Sequence, residues 1–259
     1  MIKVISKWYL WFLPISFLFL GDINNRFGLS ILIIVGILYL AAVIFAIKKN
    51  WSPASPIYHK SSPRTAGTAL ILGGALTWLL GSIGPPDFRN PVILLLNSGG
   101  LLTGTIIVLI GLAILTASFW DIGNRNLLLL GLISFIIATI FWIGQRMVLW
   151  SLIPLGHGDP EKAADNSELL KFLFIARYGL ATVYHVAGYL ASIPFVIILW
   201  KCKWIGKTGT IIMIFFGVAL AIFQGFWLQK FPLPPAFVCL LPYFMGVLLI
   251  SRNTNTQKN

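Results

Sequence analysis

The feature that most constrains this chain is the recurrence of apolar runs of roughly 18 residues or more, each long enough to cross ~30 Å of hydrocarbon. Lipid offers no water to backbone N–H and C=O groups, so a run that enters it must satisfy them within its own helix. The expected fold class is therefore all-α, a polytopic transmembrane helix bundle.

Composition excludes the soluble alternative. Of 259 residues, 58% are hydrophobic and 10% charged, whereas a soluble domain is about a quarter charged. A soluble helical protein built from this chain would need helix after helix apolar on every face.

Eight spans are expected, over residues 8–20, 28–47, 66–83, 98–119, 127–145, 172–199, 208–228 and 236–250. Together they make one integral membrane domain, 1–251, followed by a short polar tail, 252–259. Charge orients the bundle. With the N-terminus placed in the cytoplasm, the cytoplasmic side receives twelve lysines and arginines and one acid, Asp121. The far side receives six cations and six acids, and Arg177 stays inside the sixth span. That asymmetry is the one the positive-inside rule expects. It places both termini in the cytoplasm and the protein in the plasma (inner) membrane. The net charge of +12 then reads as a topology signal facing anionic lipid, with the bilayer as partner and no nucleic acid. Trp8, Trp51, Trp120, Trp150, Trp200, Trp204 and Trp227 fall near expected span ends, where amphipathic rings prefer to sit. Trp78 and Trp142 lie within spans. Residues 1–20 also carry lysines before an apolar run, like a secretory signal, but Phe17-Leu18-Phe19-Leu20 offers no small-x-small cleavage site, so the first span is expected to be retained.

Small residues recur every seven positions in the third and fourth spans, as Gly67, Gly74 and Gly81 and as Asn97, Gly104, Gly111 and Ser118. Such stripes let backbones approach closely, and a packed hairpin of these two spans is expected. In the long outer loop, Asp159-Pro160-Glu161 and Asn166-Ser167-Glu168 read as two helix starts, the second leading into the sixth span.

The sixth span carries the unusual residues. Placed at ~100° per residue with Arg177 at zero, Tyr184 falls near −20°, His185 near 80°, Tyr178 near 100°, Tyr189 near 120° and Thr182 near 140°. All its hydrogen-bonding side chains fit within an arc of about 160°. An unpaired polar group in hydrocarbon costs several kcal/mol, so this face is expected to look into protein or water. Gln145 and Arg146 end the fifth span, and Gln224 lies in the seventh. The candidate ligand-binding set is therefore Arg177, Tyr178, His185, Tyr189, Gln145, Arg146 and Gln224. Two arginines with few in-span acids favour an anionic or carbonyl-bearing small molecule. The competing expectation is that Arg146 and Arg177 pair with Asp159, Glu161, Asp165 or Glu168.

Most catalytic and cofactor chemistry finds no support. His59 and His157 fall in loops, so no in-span pair exists for haem, and Cys202 and Cys239 have no metal-ligand spacing. No cofactor or metal is expected. No HExxH helix or nucleotide-binding glycine loop is present. Asn97-Ser98-Gly99 at the fourth span and His185 in the sixth resemble the serine and histidine of rhomboid intramembrane proteases. That resemblance implies a serine nucleophile activated by His185, although Leu96 replaces the first glycine of GxSG and the earlier histidine–asparagine motif is missing. Lys201 and Lys203 beside Cys202 suggest a lowered thiol pKa or a lipidation site as an alternative to an inert loop cysteine. The leading functional expectation is binding or translocation of a small polar or amphiphilic molecule through an outward-facing polar pocket. The alternatives are a membrane-embedded enzyme acting on a lipid or lipid-linked substrate with His185 as acid–base, and a non-catalytic assembly or sensory subunit. Protein partners are not legible.

Overall fold

The computed structural model describes residues 5–6, 8–14, 29–50, 63–81, 91–152, 166–227 and 235–251. Among these the protein is all helical, with no strand. A short helical segment at residues 8–14 is followed by α1 (Leu29–Asn50), α2 (Pro63–Gly81), α3 (Pro91–Phe119), α4 (Arg125–Ser151), α5 (Ser167–Lys201) and α6 (Lys207–Trp227). A 3-10 turn (Pro235–Cys239) then leads into α7 (Leu240–Ser251). Four of the described helices, α3 to α6, are long and apolar enough to cross a membrane, consistent with an integral membrane protein.

The surface supports the same reading. Ile133, Ile140 and Met147 on α4, Ile212, Phe215 and Phe226 on α6, and Ile37 and Leu38 on α1 are all exposed. A water-soluble protein seldom shows apolar patches of that extent. Threonine hydroxyls on α3, α4 and α5 are satisfied within their own helices. Thr105, Thr116, Thr139 and Thr182 each donate to the carbonyl four residues earlier, at 2.8–2.9 Å. That bond removes the donor from lipid without breaking the helix.

Helix α2 is the centre of one half of the bundle. It packs along α3 on one side and α7 on another. The expected α2–α3 hairpin forms, and the Gly104–Gly111 stripe of α3 does face α2. A Cβ on Gly104 would lie 2.8 Å from the Gly73 carbonyl oxygen and from Thr77 N. The Gly67–Gly74 stripe, however, belongs to a different partner. Gly67 meets the Gly246 carbonyl and Leu249 of α7, and Gly74 meets the Tyr243 ring. The contact to α3 is made by Leu70, Gly73, Thr77 and Leu80 instead. The reason is angular: at about 100° per residue these four lie roughly 100° around α2 from Gly67 and Gly74. Gly81 marks the end of α2 and its side-chain environment is outside the described residues. Asn97 fastens the end of the hairpin near the α2–α3 connection by donating to the Leu80 carbonyl at 3.1 Å. On the α7 side, Trp78 Nε1 donates to the Ala236 carbonyl at 2.9 Å, and Tyr243 Oη donates to the Leu10 carbonyl at 2.6 Å.

The helix ends follow local chemistry. Asn124 Oδ1 accepts from Leu127 N at 3.2 Å and caps α4. Asn166 stands at the N-cap of α5 with Glu168 in the first turn, as the Asn-Ser-Glu signal suggested; the Asp159-Pro160 start lies outside the described residues. Helix α4 continues to Ser151, six residues past the expected end at Gln145. The polar pair Gln145-Arg146 reads as a terminus in one dimension, but Met147-Val148-Leu149-Trp150 resumes the apolar helix.

The backbone contacts at Gly104 make a size limit. Gly104→Ala should destabilise the protein by about 1–3 kcal/mol through overpacking. Gly99→Ala, where nothing lies within 4 Å of the added Cβ, should be neutral or stabilising by up to about 1 kcal/mol from helix propensity. Denaturant unfolding in detergent micelles measures both.

Candidate functional site

Helix α5 sits between α4 and α6, and its buried face is the polar arc. Tyr184, His185, Gly188, Tyr189 and Ser192 are buried, whereas Val183 is 38% and Leu190 42% exposed. Tyr178 departs from the pattern, at 36% exposed. It shares the angle of its buried companions but not their depth. The 3-10 turn at Pro235–Cys239 covers α5 at Gly188, through Val238, and Tyr178 lies ten residues, about 15 Å, further along the helix.

The polar groups occupy two levels. Leu180 packs by Gly144, and Phe195 by Gly131, so the antiparallel α4–α5 pairing sets Arg146 level with Arg177 and Tyr178. This outer level also contains Gln145 and Ser98. Arg146 Nη1 donates to Ser98 Oγ across a long 3.5 Å, and the guanidinium carbon lies 3.9 Å from the centroid of the Trp142 ring. Trp142 in turn stacks on Tyr184 at 4.7 Å with 24° between planes. Guanidinium, indole and phenol thus form a three-layer stack joining α4 to α5, held by cation–π and ring–ring attraction. By this register Arg146 and Arg177 share one end of the α4–α5 pair. Among the described residues no carboxylate forms a salt bridge with either; Asp121 pairs with Arg125 at 3.6 Å, at the other end of α4. Asp159, Glu161 and Asp165 lie outside the described residues, and Glu168 is exposed.

The inner level lies about seven residues, or ~10 Å, deeper. His185 contacts Tyr184 edge-on at 5.1 Å, and its ring lies 6.2 Å from that of Tyr189. His185 Nδ1 is 2.7 Å from the Ala181 carbonyl. A carbonyl only accepts, so Nδ1 carries the proton and Nε2 is the acceptor of the neutral ring. Thr105 of α3, Thr77 of α2 and Cys239 of the 3-10 turn lie beside Tyr184, and the Thr105 and Thr77 hydroxyls donate to the carbonyls of Leu101 and Gly74. These residues bring α2, α3 and the 3-10 turn to the same level.

Gln224 completes this level from α6. Gly217 faces the Tyr189 carbonyl and Ile193, and Gly225 faces Val186, which sets Gln224 level with His185. It is fully buried, and neither Oε1 nor Nε2 has a hydrogen-bond partner among the described residues. Tyr189 Oη, Gln145 Oε1 and Trp142 Nε1 are likewise buried without a partner. A native interior holds few such groups, and here four of them border one seam.

Sequence-derived candidates are therefore distributed in a particular way. Gln145, Arg146 and Arg177 come together at the outer level, with Tyr178 at its exposed edge. His185, Tyr189 and Gln224 share the inner level. Arg146 and Gln224 lie on opposite sides of α5, since α4 packs near −30° and α6 near 150° on the angular scale above. They bound a band and do not meet in one pocket. Sequence reasoning missed Trp142, Tyr184 as a stacking partner, Thr105 and Cys239. The position of Trp142 one turn before Arg146 was the available signal, because indole and guanidinium at i and i+4 share a helix face. The rhomboid-like pairing does not assemble here: Ser98 accepts from a cation, and His185 Nδ1 bonds a backbone carbonyl. Cys202 is half-buried, and burial pushes its thiol pKa up despite the adjacent lysines, as an inert cysteine requires.

A bilayer-partitioning diazirine probe should label Val183 and Leu190 and spare Tyr184, His185 and Tyr189, as read by peptide mass spectrometry. Equal labelling of the two sets would remove the buried seam.

No protein-family model, curated protein or solved structure matches this chain; the contacts above are the ground for any functional reading.

Proposed function

We propose that this chain crosses the inner membrane eight times with both termini in the cytoplasm, and that it binds or translocates a small anionic or carbonyl-bearing amphiphile at the α4–α5 seam. The topology is supported by the twelve-to-six division of cations and by the packing of α1, α2 and α7 in one bundle with the four longer helices. Short or less apolar spans are tolerated when neighbouring helices, not lipid, surround them.

One observation carries the ligand class. Two arginines, Arg146 and Arg177, stand at one level of the α4–α5 pair, one of them stacked on Trp142, with no described carboxylate bridging either. Charge inside a span is costly and is normally paired. An anionic group between Arg146 and Arg177 would offset their charge and could accept from Ser98 Oγ–H. The neutral, partly unsatisfied inner level would receive further polar or carbonyl groups of the same molecule. Gln145, able to donate and accept, suits a carbonyl or amide better than a bare ion.

A second reading has its own support. The Ala181 carbonyl holds His185 with Nε2 as the basic nitrogen, the orientation a general base needs. In that case His185→Gln would abolish turnover of a lipid-linked substrate while leaving binding intact.

Thermal stability of the purified protein against a panel of short carboxylates, phosphate esters and neutral amides tests the first reading. At least one anionic class should raise Tm in wild type, and Arg146→Leu or Arg177→Leu should abolish that gain. If instead neutralising Asp159, Glu161 and Asp165 together destabilises the protein as much as either arginine variant does, and no anion stabilises it, the arginines serve loop pairing and the ligand site is excluded. Separately, Gln224→Leu should stabilise the protein by about 1–3 kcal/mol in denaturant unfolding, because it removes a buried unsatisfied amide.

A further inference from the structure

The turn joining α5 to α6 stands at the end of the bundle opposite Arg146, and the polar seam does not use it. The end of α5 is closed by a Schellman motif. Trp204 N donates to the Leu199 carbonyl at 2.6 Å, and Lys203 N donates to the Trp200 carbonyl at 2.8 Å. This motif requires a left-handed residue just past the cap, where glycine or asparagine is usual. Here that residue is Lys203, with φ of 60°, the one non-glycine residue of positive φ among the described residues. A side chain at such a position carries a steric cost that glycine would avoid. The motif fixes the point on the turn from which the exposed Lys203 side chain extends.

Lys203 borders a concavity of about 320 Å³ that it shares with Trp200, Trp204, Ile205, Gly206 and Lys207. Trp204 is 8% exposed and packs edge-on against Phe119 at 6.0 Å, which fixes one wall. Trp200 is 43% exposed and forms the other wall. Lysine 203 and lysine 207 supply two ammonium groups, and Lys201 is exposed beside them. The described acid at this end of the bundle, Asp121, is already paired with Arg125. The lining is therefore cationic at its mouth and aromatic at its sides, at the depth where a helix that spans the bilayer leaves it.

We infer that this turn is a headgroup site for an anionic phospholipid, with Lys203 and Lys207 on the phosphate and the two indoles against the glycerol and upper acyl region. Two ammonium groups complement one phosphodiester, and tryptophan favours the interface between headgroup and chain. A lipid is favoured over free phosphate because the walls are indole and the concavity lies at the end of two apolar helices. The inference rests on α5 and α6 crossing a bilayer and is independent of the ligand proposed for the α4–α5 seam.

Native mass spectrometry of the detergent-solubilised full chain tests it, with phosphatidylglycerol, phosphatidylcholine and inorganic phosphate as probes. Wild type should retain phosphatidylglycerol more tightly than phosphatidylcholine. Lys203→Gly should lower phosphatidylglycerol affinity about fivefold, and Lys203→Gln with Lys207→Gln about twenty-fivefold, from the usual contribution of one lysine near an anionic surface. Phosphatidylcholine retention should not change, and Lys171→Gln, at the start of α5, should leave both lipids unaffected. Lys203→Gly also separates binding from folding: it relieves the left-handed position, so Tm should hold or rise while lipid preference falls. Unchanged phosphatidylglycerol affinity in both variants overturns the inference, as does a parallel loss of both lipids. If inorganic phosphate displaces phosphatidylglycerol on equal molar terms, the site takes the free anion and the lipid assignment is wrong.

Discussion

The cost of leaving a polar group unpaired in hydrocarbon organises this protein. A soluble chain can turn a polar side chain outward; a spanning helix cannot, so each such group must be folded back on its own helix or turned toward another. Threonines take the first course, through bonds to carbonyls one turn earlier. His185 does so too, through the Ala181 carbonyl, whereas Arg146, Trp142, Tyr184, Tyr189 and Gln224 are turned toward neighbouring helices, along a band that α4, α5 and α6 share.

The same constraint explains why the most enclosed helices are the least typical spans. Helix α5 is the most buried of the four long apolar helices and the least apolar of them. Helix α2, rich in glycine and threonine, is mostly buried along its length and lies between α3 and α7. A helix whose neighbours are protein needs flat surfaces and a few fixed hydrogen bonds more than it needs hydropathy. Its glycines do that work from two directions: Gly73 admits the backbone of α3, while Gly67 admits that of α7. Tyr243 then ties the last helix to the 8–14 segment, and Trp78 ties α2 to the 3-10 turn that precedes that helix.

The seam and the α5–α6 turn illustrate two ways of holding positive charge in such a bundle. Arg146 spreads its charge over the Trp142 face, inside the bundle. Lys203 stands exposed at the end of α5, where its backbone is fixed by hydrogen bonds and not by a partner side chain. Guanidinium suits the first role because it is planar and weakly hydrated, and ammonium suits the second because it is compact and strongly hydrated.

Hydropathy alone determined that this chain is all-helical and built for lipid, because in hydrocarbon no other use of runs so long and apolar satisfies the backbone. The periodicity of α5 also determined which of its edges would be hidden, since angle around a helix is fixed by sequence spacing. Depth and partnership were not encoded that way. Tyr178 shares its angle with buried residues yet is exposed, because the 3-10 turn covers α5 only near Gly188. Gly67 and Gly74 form a regular stripe, but nothing local says that it faces α7, some 170 residues away, and not the adjacent α3. The charge of Arg146 reads as the end of a span until Trp142, Ser98 and Tyr184 are seen around it. Tertiary structure decided these points because each depends on which helix lies opposite, a matter settled by packing between distant segments and not by the pattern within one.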